Sequence, residues 1–525
     1  MKKNTLARST GIVASSTLLS RILGFIRDML IAKYFGASGS LDGFFVAFRI
    51  PNLFRRLVAE GALTISFIPV YTEYLVHQGE EEALKLAQKT LTILTLVLLL
   101  IVGIGILFSP EIVRLFAYGF ISPEKISLTI DLNRIMFPYL FLVGLVAFCM
   151  GVLNSHGYFF APAVSPVLLN VGFIIGTVFF SAYFSEPLYG LAYGVIFGGV
   201  LQVLTQVPYM IRSGFRIRVS FDLAHPGIRR IFRLIAPALF GIAVYQINIL
   251  MSTILASMLA PGSISYLYYS DRLTEIILGV FIVSIGNVLL PEMSRISAKE
   301  DMESLRALYT RSISAALFLA IPAGIALMAA GTPIISVLFL RDKFTFAHTL
   351  MTDKALFYSS MGIASIAVLR ITTPTFYSLK DTKVPVISSA VSFVLNISLG
   401  YLLMQTSLIH GGLALANTIA NTVQMIILLV WLQRKIGRLE GRDLILPALK
   451  FLSAGLVMGL AVHLLASLAD WEHDPFLHRI AILVLIVALG GGIYFLVCSL
   501  LSVREINYLR DRVLKRLWAK IRRRS

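Results

Sequence analysis

Residues 42–62 read DGFFVAFRIPNLFRRLVAEGA, and this stretch decides the fold class. It begins an apolar run, 42–74, that is longer than the roughly 20 residues a helix needs to cross a bilayer. Pro51 lacks a backbone N–H and predicts a kink in this helix. The run also contains Arg55 and Arg56. A charged side chain near the bilayer centre costs from about 2.5 to about 17 kcal/mol, depending on how it is measured. The arginines therefore predict an interior cavity that binds an anion.

The composition predicts an all-α polytopic membrane protein. Of the 525 residues, 57% are hydrophobic and 14% are charged, and the mean hydropathy is +0.83. A soluble domain carries roughly 25% charged residues. Length and hydropathy predict about fourteen transmembrane helices, with a short surface helix in the connection around 331–350. The predicted spans are 11–35, 42–74, 88–108, 132–154, 161–183, 189–211, 231–258, 264–294, 311–330, 355–378, 384–404, 410–433, 446–468 and 478–501.

The loop charges predict the orientation in the membrane. The net charge is +18, from 46 Lys and Arg against 28 Asp and Glu. In a soluble protein such a balance would suggest nucleic acid as a partner. Here the basic residues concentrate in alternate loops, such as 212–233 and 434–442, whereas 184–188 and 469–477 are poor in them. The positive-inside rule then places both termini in the cytoplasm and makes a nucleic-acid partner unnecessary.

The sequence offers no catalytic or metal-binding pattern. Cys149 and Cys498 lie in apolar segments, which argues against a disulfide framework or a thiol metal site. The histidines lack ligand spacing, and no HExxH, Walker or GxSxG motif is present. We therefore expect a protein that is not an enzyme and has no resident cofactor. Coupling to an ion or to the membrane potential stays open, and the ion is not predicted.

An internal repeat divides the chain. The landmarks Gly190, Gln202 and Arg212 recur as Gly412, Gln424 and Arg434, each 222 residues later. An even number of predicted spans separates the partners, so the two halves should have the same orientation and should hold the substrate between two bundles. The predicted domains are an N-terminal lobe at 1–215, a C-terminal lobe at 216–440, two further spans at 441–502 and a tail at 503–525.

Two further spans carry buried charges. In the first span, helical spacing puts Ser20 on one face with Arg27, and Arg21 on one face with Asp28. These residues either line a cavity or form an Arg–Asp pair that locks helices together. The eighth span adds a second group of polar residues. They are Ser265, Asp271, Arg272 and Glu275.

Several of these charges have a structural alternative. Arg56 and Glu60 are four residues apart and are expected to neutralise each other. Asp42 has two interpretations of about equal weight. It is either a helix cap or surface charge, or it is a functional residue. Asp271 and Glu275 are expected to pair with arginines, although a carboxylate here could instead take up a proton during transport. Arg55 has no acidic residue three or four positions away, so we expect its charge to be the least neutralised in its span.

The C-terminal tail has a pattern of its own. Residues 504–524 hold nine Lys or Arg, with apolar residues at helical spacing. This pattern predicts a basic amphipathic helix on the anionic inner leaflet. Docking of a cytoplasmic partner, such as a cell wall synthesis protein, is the alternative.

At four of these stretches the chain resembles the MurJ (MviN) family of bacterial lipid II flippases. The stretches are SRILGFIRD (20–28), DGFFVAFRIPNLFRRLVAEGA (42–62), FIPVYTEY (67–74) and YYSDRLTE (268–275). The family belongs to the superfamily of multidrug, oligosaccharidyl-lipid and polysaccharide exporters. The resemblance implies two six-helix lobes around a central cationic cavity, plus two C-terminal helices that form a groove for the lipid tail.

The resemblance also implies which residues bind the substrate. Arg21, Arg27, Arg55 and Arg272 match important arginines of the family, with Ser20 beside them. Other acidic and polar positions of the family match residues here to which the resemblance assigns no definite role. They are Asp28, Asp42, Glu60, Ser265, Asp271 and Glu275. Some members have a sodium site with a carboxylate in the seventh span. Here that span has none between Gln246 and Thr253, so the sodium site is not carried over.

The leading hypothesis is a flippase that moves lipid II from the inner to the outer leaflet of the bacterial cytoplasmic membrane. Its arginines would bind the pyrophosphate and headgroup through paired charge-assisted hydrogen bonds. The alternatives are an exporter of another polyprenyl-linked oligosaccharide or a multidrug exporter. A drug-cation exporter should prefer acidic cavity residues. A transferase that acts on polyprenyl phosphates would need a carboxylate or histidine cluster, and the sequence has none.

Overall fold

The computed structural model describes residues 3–279, 283–439 and 441–506, and it is all-α, as predicted. The first ten α-helices are α1 (Lys3–Phe35), α2 (Gly39–Arg55), α3 (Ile68–His77), α4 (Glu80–Leu107), α5 (Ser109–Phe116), α6 (Pro123–Met136), α7 (Tyr139–Ser155), α8 (Phe160–Val178), α9 (Leu188–Arg212) and α10 (Pro226–Ser257). The next ten are α11 (Ser263–Ile277), α12 (Val283–Ser297), α13 (Met302–Ala329), α14 (Gly331–Phe339), α15 (Phe346–Ser360), α16 (Ile363–Ser378), α17 (Lys383–Leu403), α18 (His410–Ile436), α19 (Gly441–Ala466) and α20 (Phe476–Leu500). A π-helix (Arg56–Phe67) joins α2 to α3, and a 3₁₀ turn (Phe180–Tyr183) follows α8.

Many of these helices are suited to a bilayer. Among the described residues, nine helices are long and apolar enough to cross a membrane, or ten if α15 and α16, bent by 45°, form one span. Helices α1, α2 and α11 are outside this group, and they carry Arg27, Asp28, Asp42, Arg55 and Arg272. The count of about fourteen spans stays a prediction. The short helix expected around 331–350 is α14, but Pro333, Ile335 and Phe339 are buried, so the expectation of a surface helix is wrong.

The helix bounds agree with the predicted offset of the repeat. Helices α4 and α13 begin at residues 80 and 302 and end at residues 107 and 329, an offset of 222 at both ends. Helices α9 and α18 begin at residues 188 and 410, again 222 apart. The packing follows the same order, because α8 lies along α9 as α17 lies along α18.

The chain divides into two compact units. The first runs to Ser265 and includes Arg341–Lys343, and the second holds the other residues from Tyr266 onwards. Helix α10 belongs to the first unit, where it packs along the π-helix. The predicted domain limits at 215, 440 and 502 follow the repeat instead of this packing, and they stay predictions. Most of the predicted amphipathic tail, 507–525, lies outside the described residues.

In the second unit, the two helices beyond the repeat have a shared core with α13. Helix α19 lies along α13, and α20 lies along α19. The core contains Phe318, Phe451 and Tyr494, and the hydroxyl of Tyr494 donates to the Phe318 carbonyl at 2.8 Å. The remaining faces of α19 and α20 are apolar and exposed.

Candidate functional site

Arg27 and Asp28 form a buried ion pair on α1. The Nε and Nη2 atoms of Arg27 donate to Oδ1 of Asp28 at 2.9 and 2.7 Å. Nη1 donates to Oδ1 of Asn170 on α8 at 3.0 Å, and the guanidinium lies 4.9 Å from the ring centre of Phe173. Only 9% of Arg27 and 2% of Asp28 are exposed. The pair therefore braces α1 against α8, which is the structural alternative left open above.

The pairing of Asp28 differs from the expected one. Helical spacing placed Asp28 on a face with Arg21, but its carboxylate accepts from Arg27. The reason is burial: a carboxylate taken out of water needs a close cation, and Arg27 is buried beside it while Arg21 is exposed. No hydrogen bond or ion pair from another described residue holds the guanidinium of Arg21.

Asn170 extends this cluster to Ser20. Its Nδ2 donates to the Ser20 carbonyl at 3.0 Å and to Ser20 Oγ at 3.4 Å. Gly24 faces the same amide, because a Cβ added there would lie 3.5 Å from Asn170 Nδ2. One amide on α8 therefore positions both Ser20 and Arg27.

Pro51 leaves a carbonyl of α2 without its helical donor, and Asn133 of α6 supplies one. The Asn133 Nδ2 donates to the Ala47 carbonyl, four residues before Pro51, at 3.1 Å. Its Oδ1 accepts from the Ser109 hydroxyl at 2.8 Å. The helix stays intact past Pro51 and then widens into the π-helix that begins at Arg56. π-Helical turns are rare and often occur at functional sites.

The arginines of α2 and the π-helix have different surroundings. Arg55 is half-buried, and its Nε donates to Oδ1 of Asn52, one turn earlier, at 2.7 Å. Arg49 donates from Nη1 to the hydroxyl of Thr253 on α10. Arg56 begins the π-helix. The side chain of Glu60 lies outside the described residues, so the Arg56–Glu60 pair stays a prediction.

Asp42 lies on α2 and caps the start of α11. Its Oδ2 accepts from the Gly262 amide at 2.6 Å, and its Oδ1 accepts from the Ser265 amide at 2.9 Å and hydroxyl at 2.7 Å. A carboxylate in this position satisfies amides that a helix start leaves without partners. The carboxylate is 2% exposed and lies 3.6 Å from Lys125 Nζ. The cap interpretation is confirmed, and the surface-charge interpretation is wrong.

In the second unit, Arg272 is held within α11. Its Nη1 donates to Oε2 of Glu275 at 2.8 Å, and its Nη2 donates to the Tyr268 hydroxyl at 3.2 Å. The guanidinium also lies 4.9 Å from the Tyr268 ring centre. Asp271 is exposed, and the Thr274 hydroxyl donates to its carbonyl at 2.9 Å. The expected arginine partner of Glu275 is confirmed as Arg272.

The family of the chain follows from sequence similarity. Residues 31–483 match the profile of the family described as lipid II flippase MurJ. The chain belongs to this family. A relative from Vibrio cholerae, named probable lipid II flippase MurJ, is 35% identical over 510 residues, which are 95% of this chain and 97% of the relative. A second, from Burkholderia cenocepacia and named lipid II flippase MurJ, is 34% identical over 499 residues, which are 93% of this chain and 96% of the relative.

Solved structures agree with the family. A structure of lipid II flippase MurJ in an inward closed conformation has a TM-score of 0.78 and 28% identity, and covers 95% of this chain and 99% of the other. An inward-facing multidrug transporter of the MATE family has a TM-score of 0.68 at 17% identity, and covers 80% of this chain and 95% of the other. That second likeness shows a shared fold alone.

Some residues of these clusters were missed from the sequence. Asn170 accepts a hydrogen bond from Arg27, and Asn133 donates one to the Ala47 carbonyl that Pro51 leaves without a donor. Thr253 accepts a hydrogen bond from Arg49. Both asparagines lie inside predicted spans. The rule applied to the arginines, that polar residues inside spans have a role, would have identified them.

Proposed function

We propose that this chain is a flippase that moves lipid II, the undecaprenyl-pyrophosphate-linked disaccharide-peptide, across the bacterial cytoplasmic membrane. Family membership over almost the whole chain carries this conclusion. The direction is from the inner to the outer leaflet, by alternating access of the two repeats, and it supplies the cell wall. No covalent chemistry is required, so the protein is a transporter and not an enzyme.

We assign headgroup binding to Arg21, Arg27, Arg55 and Arg272, with Ser20 alongside. Guanidinium groups match phosphate oxygens with paired hydrogen bonds and stay charged when partly desolvated. The exposed guanidinium of Arg21 and the half-buried one of Arg55 support direct contact. The bonds of Arg27 to Asp28 and Asn170 fix the position of its guanidinium beside Ser20.

The polyprenyl tail needs an apolar path, and we assign it to α19 and α20. Their outward faces carry exposed apolar side chains, including Leu456, Leu460, Val487 and Leu496. A tail that lies along these faces stays in lipid while the headgroup crosses. This assignment gives the predicted segment 441–502 its role.

We also propose the orientation and the partners of the tail. Both termini lie in the cytoplasm, following the loop charges. The basic tail lies on anionic lipids of the inner leaflet. A net charge that crosses with the substrate gains or loses about 2.3 kcal/mol per 100 mV, which can drive the cycle without an ion site.

The test is depletion of the protein in its host, followed by labelling of lipid II in the outer leaflet. We expect surface-exposed lipid II to fall and the inner-leaflet pool to rise. Re-expression of the unaltered chain is the control and should restore exposure. Undiminished exposure in a strain that lacks any other flippase would refute the function.

A further inference from the structure

The connection between α9 and α10 presents a row of apolar side chains to the outside. Residues 215–223 read FRIRVSFDL and run outside any helix. Ile217 is 81% exposed, Val219 is 89% exposed and Phe221 is 62% exposed, whereas Phe215 is buried. Single exposed apolar residues are ordinary, but three at alternate positions of one short segment mark a surface that something covers.

Polar side chains of α4 hold this segment from behind. Gln88 Nε2 donates to the Arg216 carbonyl at 2.9 Å, and the Ser220 amide donates to Thr92 Oγ1 at 3.0 Å. Lys89 Nζ lies 2.8 Å from Oδ2 of Asp222. The segment is thus fixed on one side of α4, and its apolar row is not the result of a loose loop.

The position of this segment on α4 indicates what covers its apolar side chains. Thr92 and Leu96 are four residues apart and share a helix face, and Leu99 and Leu100 continue it. Those three leucines are exposed on a helix apolar enough to span the membrane. Leu96 lies only about 6 Å further along the helix than Thr92. The segment therefore covers the start of a helix face that is apolar and exposed one turn further along.

Arginines complete the pattern. Arg212, Arg216 and Arg218 are exposed, and they flank or alternate with the apolar row. Apolar side chains beside arginines suit the boundary between headgroups and acyl chains, where the apolar groups enter and the cations contact phosphate. Clustered arginines next to a span also favour an anionic leaflet.

We infer that residues 215–223 are an interfacial anchor on the cytoplasmic leaflet. Ile217, Val219 and Phe221 are immersed at the headgroup boundary, and Arg216 and Arg218 bind phosphates of anionic phospholipids. This inference rests on the proposed orientation but not on lipid II transport. The anchor fixes the chain between the two repeats at a set depth. A cytoplasmic protein that covers the same row is the competing occupant, and the continuity with the lipid face of α4 favours the bilayer.

The test measures the depth of residue 219 in vesicles of phosphatidylethanolamine and phosphatidylglycerol. A nitroxide is placed at Val219→Cys in the full chain with Cys149 and Cys498 replaced. Matched labels on α4 calibrate the scale: Glu81→Cys reports water and Leu100→Cys reports lipid. Collision of the nitroxide with oxygen and with a nickel chelate gives the depth. We expect the oxygen-to-nickel ratio to rise in the order 81, 219, 100.

A ratio at 219 equal to that at 81 would overturn the inference and leave the row to a protein partner. The double variant Arg216→Gln, Arg218→Gln should shift the ratio at 219 towards that at 81, and an unchanged ratio would remove the phosphate contacts. The cysteine replacements could unfold the protein, so a second measurement keeps both cysteines. A photo-crosslinking residue at 219 in that chain should label phospholipid. No lipid II is present, so a failure of the transport hypothesis would leave the depth unchanged.

Discussion

Arg55 carries a half-buried guanidinium on α2. Its Nε bonds to Asn52 on its own helix, while Arg27 is engaged by a carboxylate. We expect the planar guanidinium of Arg55 to bind pyrophosphate through paired hydrogen bonds. Both Arg55→Lys and Arg55→Ala should then fail to complement a depleted strain, because lysine keeps the charge but cannot make the paired bonds. Membrane abundance of each variant is the control. Full rescue by alanine would remove Arg55 from the site.

Asn170 provides the second prediction at this scale. Asn170→Ala removes the amide that bonds Arg27 and Ser20, and it leaves buried polar groups without a partner. Such a loss costs about 1–3 kcal/mol. The midpoint of thermal unfolding in detergent should fall. Asn421→Ala removes an amide that bonds only one turn away, to Asn417, and should change the midpoint little. Equal shifts for the two variants would contradict the bracing role of Asn170.

At the scale of elements, α2 depends on α6 across the proline break. Asn133→Leu should destabilise the protein by about 1–3 kcal/mol, because the Ala47 carbonyl loses its donor. In a Pro51→Ala background the new amide can bond to that carbonyl, so the same substitution should cost less. A double-mutant cycle measured by thermal unfolding gives the coupling. Identical costs in the two backgrounds would show that the proline and the asparagine act independently.

The attachment of residues 215–223 to α4 should depend on pH. The hydrogen bond from Lys89 lowers the pKa of the Asp222 carboxyl below its ordinary value. A lowered folded-state pKa means that the stabilisation is complete above the unfolded value, about 4, and is lost as the pH falls through the folded value. A nitroxide at 219 in detergent should gain mobility below that range. Asp222→Asn should be mobile at every pH, and a pH response in that variant would assign the effect elsewhere.

At the scale of the whole molecule, the sequence predicted features that lie along single helices and missed those that join helices. Hydropathy and buried charge located the helices of Arg27, Arg55 and Arg272, and a few landmarks were enough for the repeat. The choice of Arg27 as the partner of Asp28 depends on how closely α8 approaches α1. The widening of the chain after Arg55 depends on packing in the same way. Neighbouring helices decide such contacts, and helical periodicity does not report them.

The parallel repeat makes a strict prediction about topology, because positions 222 residues apart must lie on the same side of the membrane. Ser185 and Ser407 form one such pair, and Arg216 and Arg438 form another; all four are exposed. In a chain with Cys149 and Cys498 replaced, Ser185→Cys and Ser407→Cys should react with an impermeant maleimide on intact cells. Arg216→Cys and Arg438→Cys should react only after permeabilisation, because loops rich in positive charge stay in the cytoplasm. Labelling of the two members of a pair from opposite sides would refute the shared orientation of the repeats. Reversal of both pairs together would keep the repeat and invert the membrane orientation, which would also place residues 215–223 on the outer leaflet.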